Sequence, residues 1–207
     1  MWIPIALSRD VPAGVTRAVV LDDRELVVWR TEGGAVQVWE DRCPHRGMRL
    51  SFGFVRGEAL NCLYHGWQYG ASGSCQKIPA HPDLTVPPTI RANAYTSAET
   101  GGFILVSFDA EPGLAPVLLA GQPIASLAIA TTAETVTSLV SGTPLDSIQG
   151  LSTVLDGITV QVNVGWHVVG PDRLMLHAVA VDPGDIQTRL LRALHKLRAD
   201  AERKDAA

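Results

Sequence analysis

The sequence predicts a mainly β protein in two parts: an antiparallel β-sandwich over residues 1–110, and a smaller α+β region over residues 111–207 that ends in an amphipathic helix. Three observations carry that expectation. Runs of β-formers in the first part are separated by polar or Gly-Gly turns. Composition shifts after Asp109-Ala110-Glu111-Pro112-Gly113. Finally, Leu190, Leu191, Leu194 and Leu197 recur at helical spacing.

Taken in order, residues 17–21 and 25–29 flank Asp22-Asp23-Arg24, a polar turn between β-forming stretches. Residues 27–30 and 35–40 are separated by Thr31-Glu32-Gly33-Gly34, and Gly-Gly between alternating apolar positions is a hairpin signal. The strand at 36–40 leads into Cys43, and residues 59–61 lead into Cys62. Residues 101–108 begin with Gly-Gly and continue as an apolar run, the pattern of a buried strand that closes the first part.

Residues 111–188 contain seven acidic side chains and one basic one, Arg173. Strands are expected at 134–140, 159–164, 165–169 and 174–181, with turns at Asp156-Gly157 and Asp182-Pro183-Gly184. The tail reverses sign: Arg189, Arg192, Lys196 and Arg198 flank the leucine stripe, which is expected to pack on the chain's own sheet.

With 207 residues, 46% hydrophobic, and a formal charge of −4, the chain can bury one substantial core or two small ones and lacks the basic excess of a nucleic-acid binder. Met1-Trp2-Ile3-Pro4-Ile5 shows no secretory leader pattern. The uncharged stretch within 112–133 is interrupted by Pro116, Gly121, Gln122 and Pro123, so no membrane span is expected. Three cysteines with no need of a disulfide suit a reducing compartment, and a cytoplasmic protein is expected.

The chemistry concentrates in Cys43-Pro44-His45-Arg46-Gly47 and Cys62-Leu63-Tyr64-His65-Gly66-Trp67, a Cys-x-His and a Cys-x-x-His separated by sixteen residues. Gly47 and Gly66 allow the backbone conformations of tight ligand loops, and Pro44 stiffens the first turn. Two Cys and two His also suit a structural zinc site, but typical zinc spacing pairs Cys with Cys and His with His. Here each half pairs a Cys with a His.

The two halves resemble the ligand loops of Rieske 2Fe-2S proteins. That resemblance implies a cluster in which Cys43 and Cys62 hold one iron, while His45 and His65 hold the other. Imidazole ligation raises such a cluster's potential into a window of about −150 to +300 mV. Respiratory and photosynthetic members carry a bracing disulfide whose positions are occupied here by Met48 and Tyr64. The wording of the loops, followed by Tyr69, Gly73, Cys75 and Ile78-Pro79, is similar instead to the N-terminal domain of ring-hydroxylating and demethylating Rieske oxygenases. This implies the lower part of that window and a reductase or ferredoxin as donor.

Around the ligands, Arg46, Tyr64 and Trp67 are the expected neighbours. Arg46 and Tyr64 are placed to tune the cluster or to pack its loops, while Trp67 and Trp39 are expected to pack beneath it. Cys75 reads as a buried structural cysteine.

Strands followed by a long helix are similar to the end of the family's helix-grip catalytic domain, although the segment is about half the usual length. The family's mononuclear iron comes from an Asp-x-x-His string with a second His four or five residues on, and no such string occurs here. A mononuclear iron is therefore not expected. His81 lies in a Pro-rich loop and His195 on the terminal helix; His167, His177 and Asp156 are the residues left for a cryptic iron site, against the commoner reading of hydrogen-bonded sheet histidines.

The leading expectation is a Rieske electron-transfer protein or subunit that passes single electrons to a terminal mononuclear iron on a partner catalytic chain. Its alternatives are a complete, shortened oxygenase that hydroxylates or demethylates a small aromatic substrate, and a redox-sensing accessory protein. Oligomerisation is expected by the same resemblance.

Overall fold

The computed structural model describes residues 1–140, 143–145, 148–155 and 158–205, with side chains left undescribed at 143–145, 149, 151–155, 158 and 185. The chain packs as two compact units. One comprises residues 10–20 and 24–97, the other residues 1–9, 21–23 and 98–207. This division differs from the one expected at residue 110: the first strand and the strand after residue 101 belong to the second unit.

The strands of the first part, in chain order, are β1 (Ile3–Leu7), β2 (Thr16–Leu21), β3 (Arg24–Arg30), β4 (Val36–Glu40), β5 (Phe54–Arg56), β6 (Ala59–Asn61), β7 (Gln68–Gly70), β8 (Cys75–Lys77), β9 (Ala94–Thr100) and β10 (Phe103–Ser107). Within the first unit β3 and β4 form the expected hairpin, with Leu26 opposite Glu40 and Arg30 opposite Val36. At the expected polar turn Asp22 and Asp23 both take positive φ, a conformation acidic and amide side chains tolerate better than most. Strands β5 to β8 form a small four-stranded meander. Its core contains Trp29, Trp39, Leu50, Leu60 and Tyr69, all fully buried, with the two indoles edge to face at 4.8 Å. Trp39 is thus a packing residue, and Cys75 is buried in the same cluster.

The second unit contains β1 paired with β10, followed by β11 (Gln122–Ile129), α1 (Ala133–Leu139), β12 (Thr143–Leu145), β13 (Ile148–Leu155), β14 (Ile158–Gly170), β15 (Arg173–Val181) and α2 (Gln187–Asp205). Its sheet runs β11-β15-β14-β13-β12, with antiparallel pairing throughout. Leu190, Leu194 and Ala201 of α2 are buried against Ile124, Val162, Val164 and Leu176. The leucine stripe therefore packs on the chain's own sheet, where apolar burial stabilises it.

Two expectations need correction. Residues 134–140 are not a strand: Ala133–Leu139 is helical, capped by Thr132, whose hydroxyl accepts from the Thr135 N–H. Val136 and Val140, four apart, are both buried on one side, a helical signal that the β-forming Thr and Val types obscured. The two strands expected at 159–164 and 165–169 are one, β14, because Gly165 does not break it. A Cβ at Gly165 would lie 2.7 Å from Pro4 Cγ, so glycine is there for the close approach of β1. Asp182 and Gly184 take positive φ in the turn after β15, while the expected turn at Asp156-Gly157 lies outside the described residues.

Candidate metal centre

The two Cys/His segments fold into matching turns. In the first, the Cys43 N–H donates to the Met48 carbonyl at 2.8 Å and the Gly47 N–H to the Cys43 carbonyl at 2.8 Å. In the second, Cys62 N–H donates to Trp67 at 2.9 Å and Gly66 N–H to Cys62 at 2.9 Å. Each turn therefore begins at its cysteine and reverses at a glycine four residues on. Gly47 (φ 73°) and Gly66 (φ 69°) sit in the left-handed region, where a side chain would be strained. β4 delivers the chain to the first turn; β6 and β7 enclose the second, with Leu60 opposite Tyr69.

These turns sort the four side chains by type. Cys43 and Cys62 lie at the buried side, the two residues 2% and 1% exposed, and, after burial, the proximity of Cys43 is among the causes that raise the Cys62 thiol. The imidazoles of His45 and His65 meet farther out, ring centroids 4.7 Å apart. His65 is exposed and His45 half-buried. A one-ion zinc site would draw all four ligands onto one tetrahedron. A sulfur pair beside a nitrogen pair instead suits a [2Fe-2S] cluster whose irons take different ligands. Cys43, Cys62, His45 and His65 are thus the residues that could hold it.

The surroundings divide the same way. Burial, followed by opposing hydrogen bonds from the backbone N–H groups of Tyr64 and His65, leaves the Cys62 thiol above its ordinary range. Those two donors favour the thiolate and would stabilise it as a metal ligand. The Tyr69 hydroxyl lies 3.1 Å from Cys43 Sγ. Burial, and then the neighbouring Cys43, push the Tyr69 phenol far above its usual range, so it keeps its proton and would be the donor to a metal-bound Cys43 thiolate, which has none of its own. On the outer side, Trp67 stacks on His45 at 4.1 Å with planes 8° apart, and Tyr64 stacks on His65 at 3.9 Å. Burial, and then the nearby His65 and Arg46, lower the pKa of His45, which favours the neutral ligating form.

Trp67 and Tyr64 are therefore ring supports for the two imidazoles, and Arg46 is an exposed charge beside them. Sequence reasoning missed the role of Tyr69. It marked the residue only as part of the motif, because the direction of its hydroxyl depends on the β6–β7 register. Cys75 stands apart from the matching turns, its sulfur 3.8 Å from the Lys77 carbonyl oxygen, with burial raising its pKa.

The histidines left for a second iron are occupied with one another. In the second unit His177 Nε2 lies 3.3 Å from His167 Nδ1, which is 3.0 Å from the Pro4 carbonyl oxygen, and the Ser126 hydroxyl is 2.9 Å from His177 Nδ1. Both rings are buried, which matches hydrogen-bonded sheet histidines. Asp156, the carboxylate considered with them, lies outside the described residues. His195 is exposed on α2, and His81 is exposed in the turn after Ile78. No described helix is long and apolar enough to cross a membrane.

Comparison with known proteins gives the same direction. Residues 1–88 match the model of the Rieske [2Fe-2S] domain family. The chain is 33% identical over 191 residues to the oxidoreductase NdmD of Pseudomonas putida, a match covering 91% of this chain and 31% of that protein. It is 39% identical over 92 residues to the methylxanthine N1-demethylase NdmA of the same organism, covering 44% of this chain and 26% of that one. The chain thus spans less than a third of either relative. Among solved structures, Pseudomonas putida CBB5 NdmA aligns over 98% of this chain and 79% of its own, with TM-score 0.75 at 20% identity. Dicamba monooxygenase aligns over 98% and 85%, with TM-score 0.73 at 16% identity. At such identities the likeness is one of fold, and it extends through the second unit. Residues 1–88 are a Rieske [2Fe-2S] domain, and the chain that carries it is related to the Rieske oxygenases.

Proposed function

We propose that Cys43 and Cys62 hold one iron of a [2Fe-2S] cluster and His45 and His65 the other, and that the chain carries single electrons from a reductase or ferredoxin to a terminal mononuclear iron on another chain. The observation that carries this reading is the sorting of buried thiols from outward-facing imidazoles within two matching turns. When bound, the cluster supplies one-electron storage. All four protein ligands would be used in holding it, so no position remains on it for substrate.

The chain's own residues supply the rest. Trp39, Leu60 and Tyr69 bury the sulfur side away from water, and the Tyr69 hydroxyl, 3.1 Å from Cys43 Sγ, would donate to it as a thiolate. Trp67 and Tyr64 hold the imidazole rings in place. With a cluster bound, the ring nitrogens of His45 and His65 not used as ligands would be available to hydrogen-bond an acceptor on a partner, which would fix docking and shorten the electron path. The similarity to a relative named an oxidoreductase, over 91% of this chain, supports a carrier role.

Iron and acid-labile sulfide analysis of the reconstituted protein, combined with oxygen uptake, tests the reading. Two irons and two sulfides per chain, with a low-temperature paramagnetic signal after dithionite and no oxygen consumption, are expected. A third iron, with oxygen consumed when reductant and an aromatic substrate are supplied, would replace the carrier reading with that of a complete oxygenase. Colourless protein without a signal would remove both.

A further inference from the structure

The first turn opens onto a cleft of about 300 Å³ lined by Arg42, Arg46 and Arg91 together with His45, Glu40 and Asn93. Three arginines and a single acidic residue, Glu40, line it beside the half-buried His45. Other nearby acids are already engaged. Asp41 is buried and accepts from the Ser51 N–H and hydroxyl, each at 2.6 Å, and Glu25 pairs with Arg49. Arg91 is anchored through Nη2 to the Ser72 carbonyl at 2.9 Å, which leaves its remaining donors directed by a fixed side chain. Arg42 and Arg46 form no ion pair among the described residues.

The second turn contributes a different surface. Leu63 and Tyr64 are 56% and 58% exposed, next to the exposed His65. Exposed apolar side chains beside forked cations reproduce the composition of protein interfaces, where aromatics and arginine are enriched and the other charges are depleted from the centre. Guanidinium groups recognise carboxylates through two parallel hydrogen bonds.

We infer that the two turns together form a docking face for an acidic one-electron carrier protein, with Arg42, Arg46 and Arg91 taking its carboxylates and Leu63 and Tyr64 covering its apolar centre. The inference rests on the cluster reading above and names the chemistry of the partner. An anionic partner is drawn to the imidazole side, where the electron crosses, and its desolvated carboxylates fix the orientation.

Charged electron acceptors test the cleft without requiring the natural partner. The dithionite-reduced protein is mixed with ferricyanide, an anion, or hexaammineruthenium(III), a cation; each takes one electron from the cluster, which is oxidised as the complex is reduced. At low salt, Arg42→Glu/Arg46→Glu is expected to slow oxidation by ferricyanide on the order of tenfold and to speed oxidation by hexaammineruthenium(III), both effects shrinking at high salt. Arg56→Glu, whose guanidinium lies over the Phe54 ring outside the cleft, should change neither rate appreciably. Leu63→Ser should slow electron exchange with an acidic plant-type ferredoxin several-fold and leave the ferricyanide rate unchanged. Rates indifferent to both charge reversal and salt, with the cluster signal intact, would overturn the docking face alone. Absence of any reducible cluster would overturn the reading beneath it as well.

Discussion

Replacing Tyr69 with Phe should lower the reduction potential of the cluster while leaving its assembly intact. The ring is fully buried in the core beneath the turns, and Phe keeps that packing. Only the hydroxyl, 3.1 Å from Cys43 Sγ, is removed. Hydrogen bonds to charged groups contribute roughly 1.5–3 kcal/mol. The potential responds only to the difference in bond strength between the two oxidation states, because a bond equally strong in both cancels. Reduction adds one negative charge to the group that contains Cys43 Sγ, so the donor stabilises the reduced form more. If that difference is about 1 kcal/mol, the potential falls by about 40 mV, since a tenfold change in a one-electron equilibrium corresponds to about 59 mV. Protein-film voltammetry on the parent and the variant measures it, with the visible spectrum confirming equal cluster content. A potential unchanged to within about 10 mV, or one that rises, would refute the argument that this hydroxyl donates to a cluster sulfur.

Replacing a nitrogen ligand by sulfur adds negative charge, so His65→Cys, where a cluster still assembles, should shift the potential downward, towards the value of about −400 mV typical of four-cysteine ferredoxins; voltammetry showing no shift would contradict ligation by His65. Asp205 ends α2 by accepting from the Thr131 and Thr135 hydroxyls and, at 2.9 Å, from the Thr132 N–H, and these bonds hold its carboxyl below the ordinary carboxylate range. A depressed carboxyl contributes stability that is present above its unfolded value, about 3.9, and is lost as pH falls through the folded value. Thermal unfolding scanned from pH 6 to pH 3 should therefore show a shallower decline for Asp205→Asn than for the parent, and parallel curves would dismiss the contribution. Gly165→Ala places a Cβ 2.7 Å from the Pro4 ring, and overpacking of this kind costs about 1–3 kcal/mol; urea denaturation showing no loss would mean that β1 yields without strain.

The candidate site was legible because its information is local. Residue type and spacing identify Cys43, His45, Cys62 and His65, and the glycine four residues after each cysteine announces the turn that the backbone makes. Sequence proximity alone placed Arg46, Tyr64 and Trp67 beside the candidate ligands but could not say that Trp67 lies flat on His45 while Tyr64 lies on His65. Tyr69 escaped because its role depends on which way a strand residue faces once β6 and β7 are in register. In the second unit the leucine period of α2 was legible, while Ala133–Leu139 was misread as a strand. Its helix rests on a cap from Thr132 and on bonds to Asp205, seventy residues away in sequence from Thr135.

The sequence by itself determined the chemistry: two thiols and two imidazoles in short turns, the β-character of the first part, and the amphipathic helix at the end. Each of these follows from side-chain type and near-neighbour spacing. The tertiary structure decided which strands belong together, why Gly165 must lack a side chain, where the Tyr69 hydroxyl points, and that Arg91 joins Arg42 and Arg46 in one cleft beside His45. Those depend on contacts between distant segments, whose energies are set by packing and register rather than by local propensity.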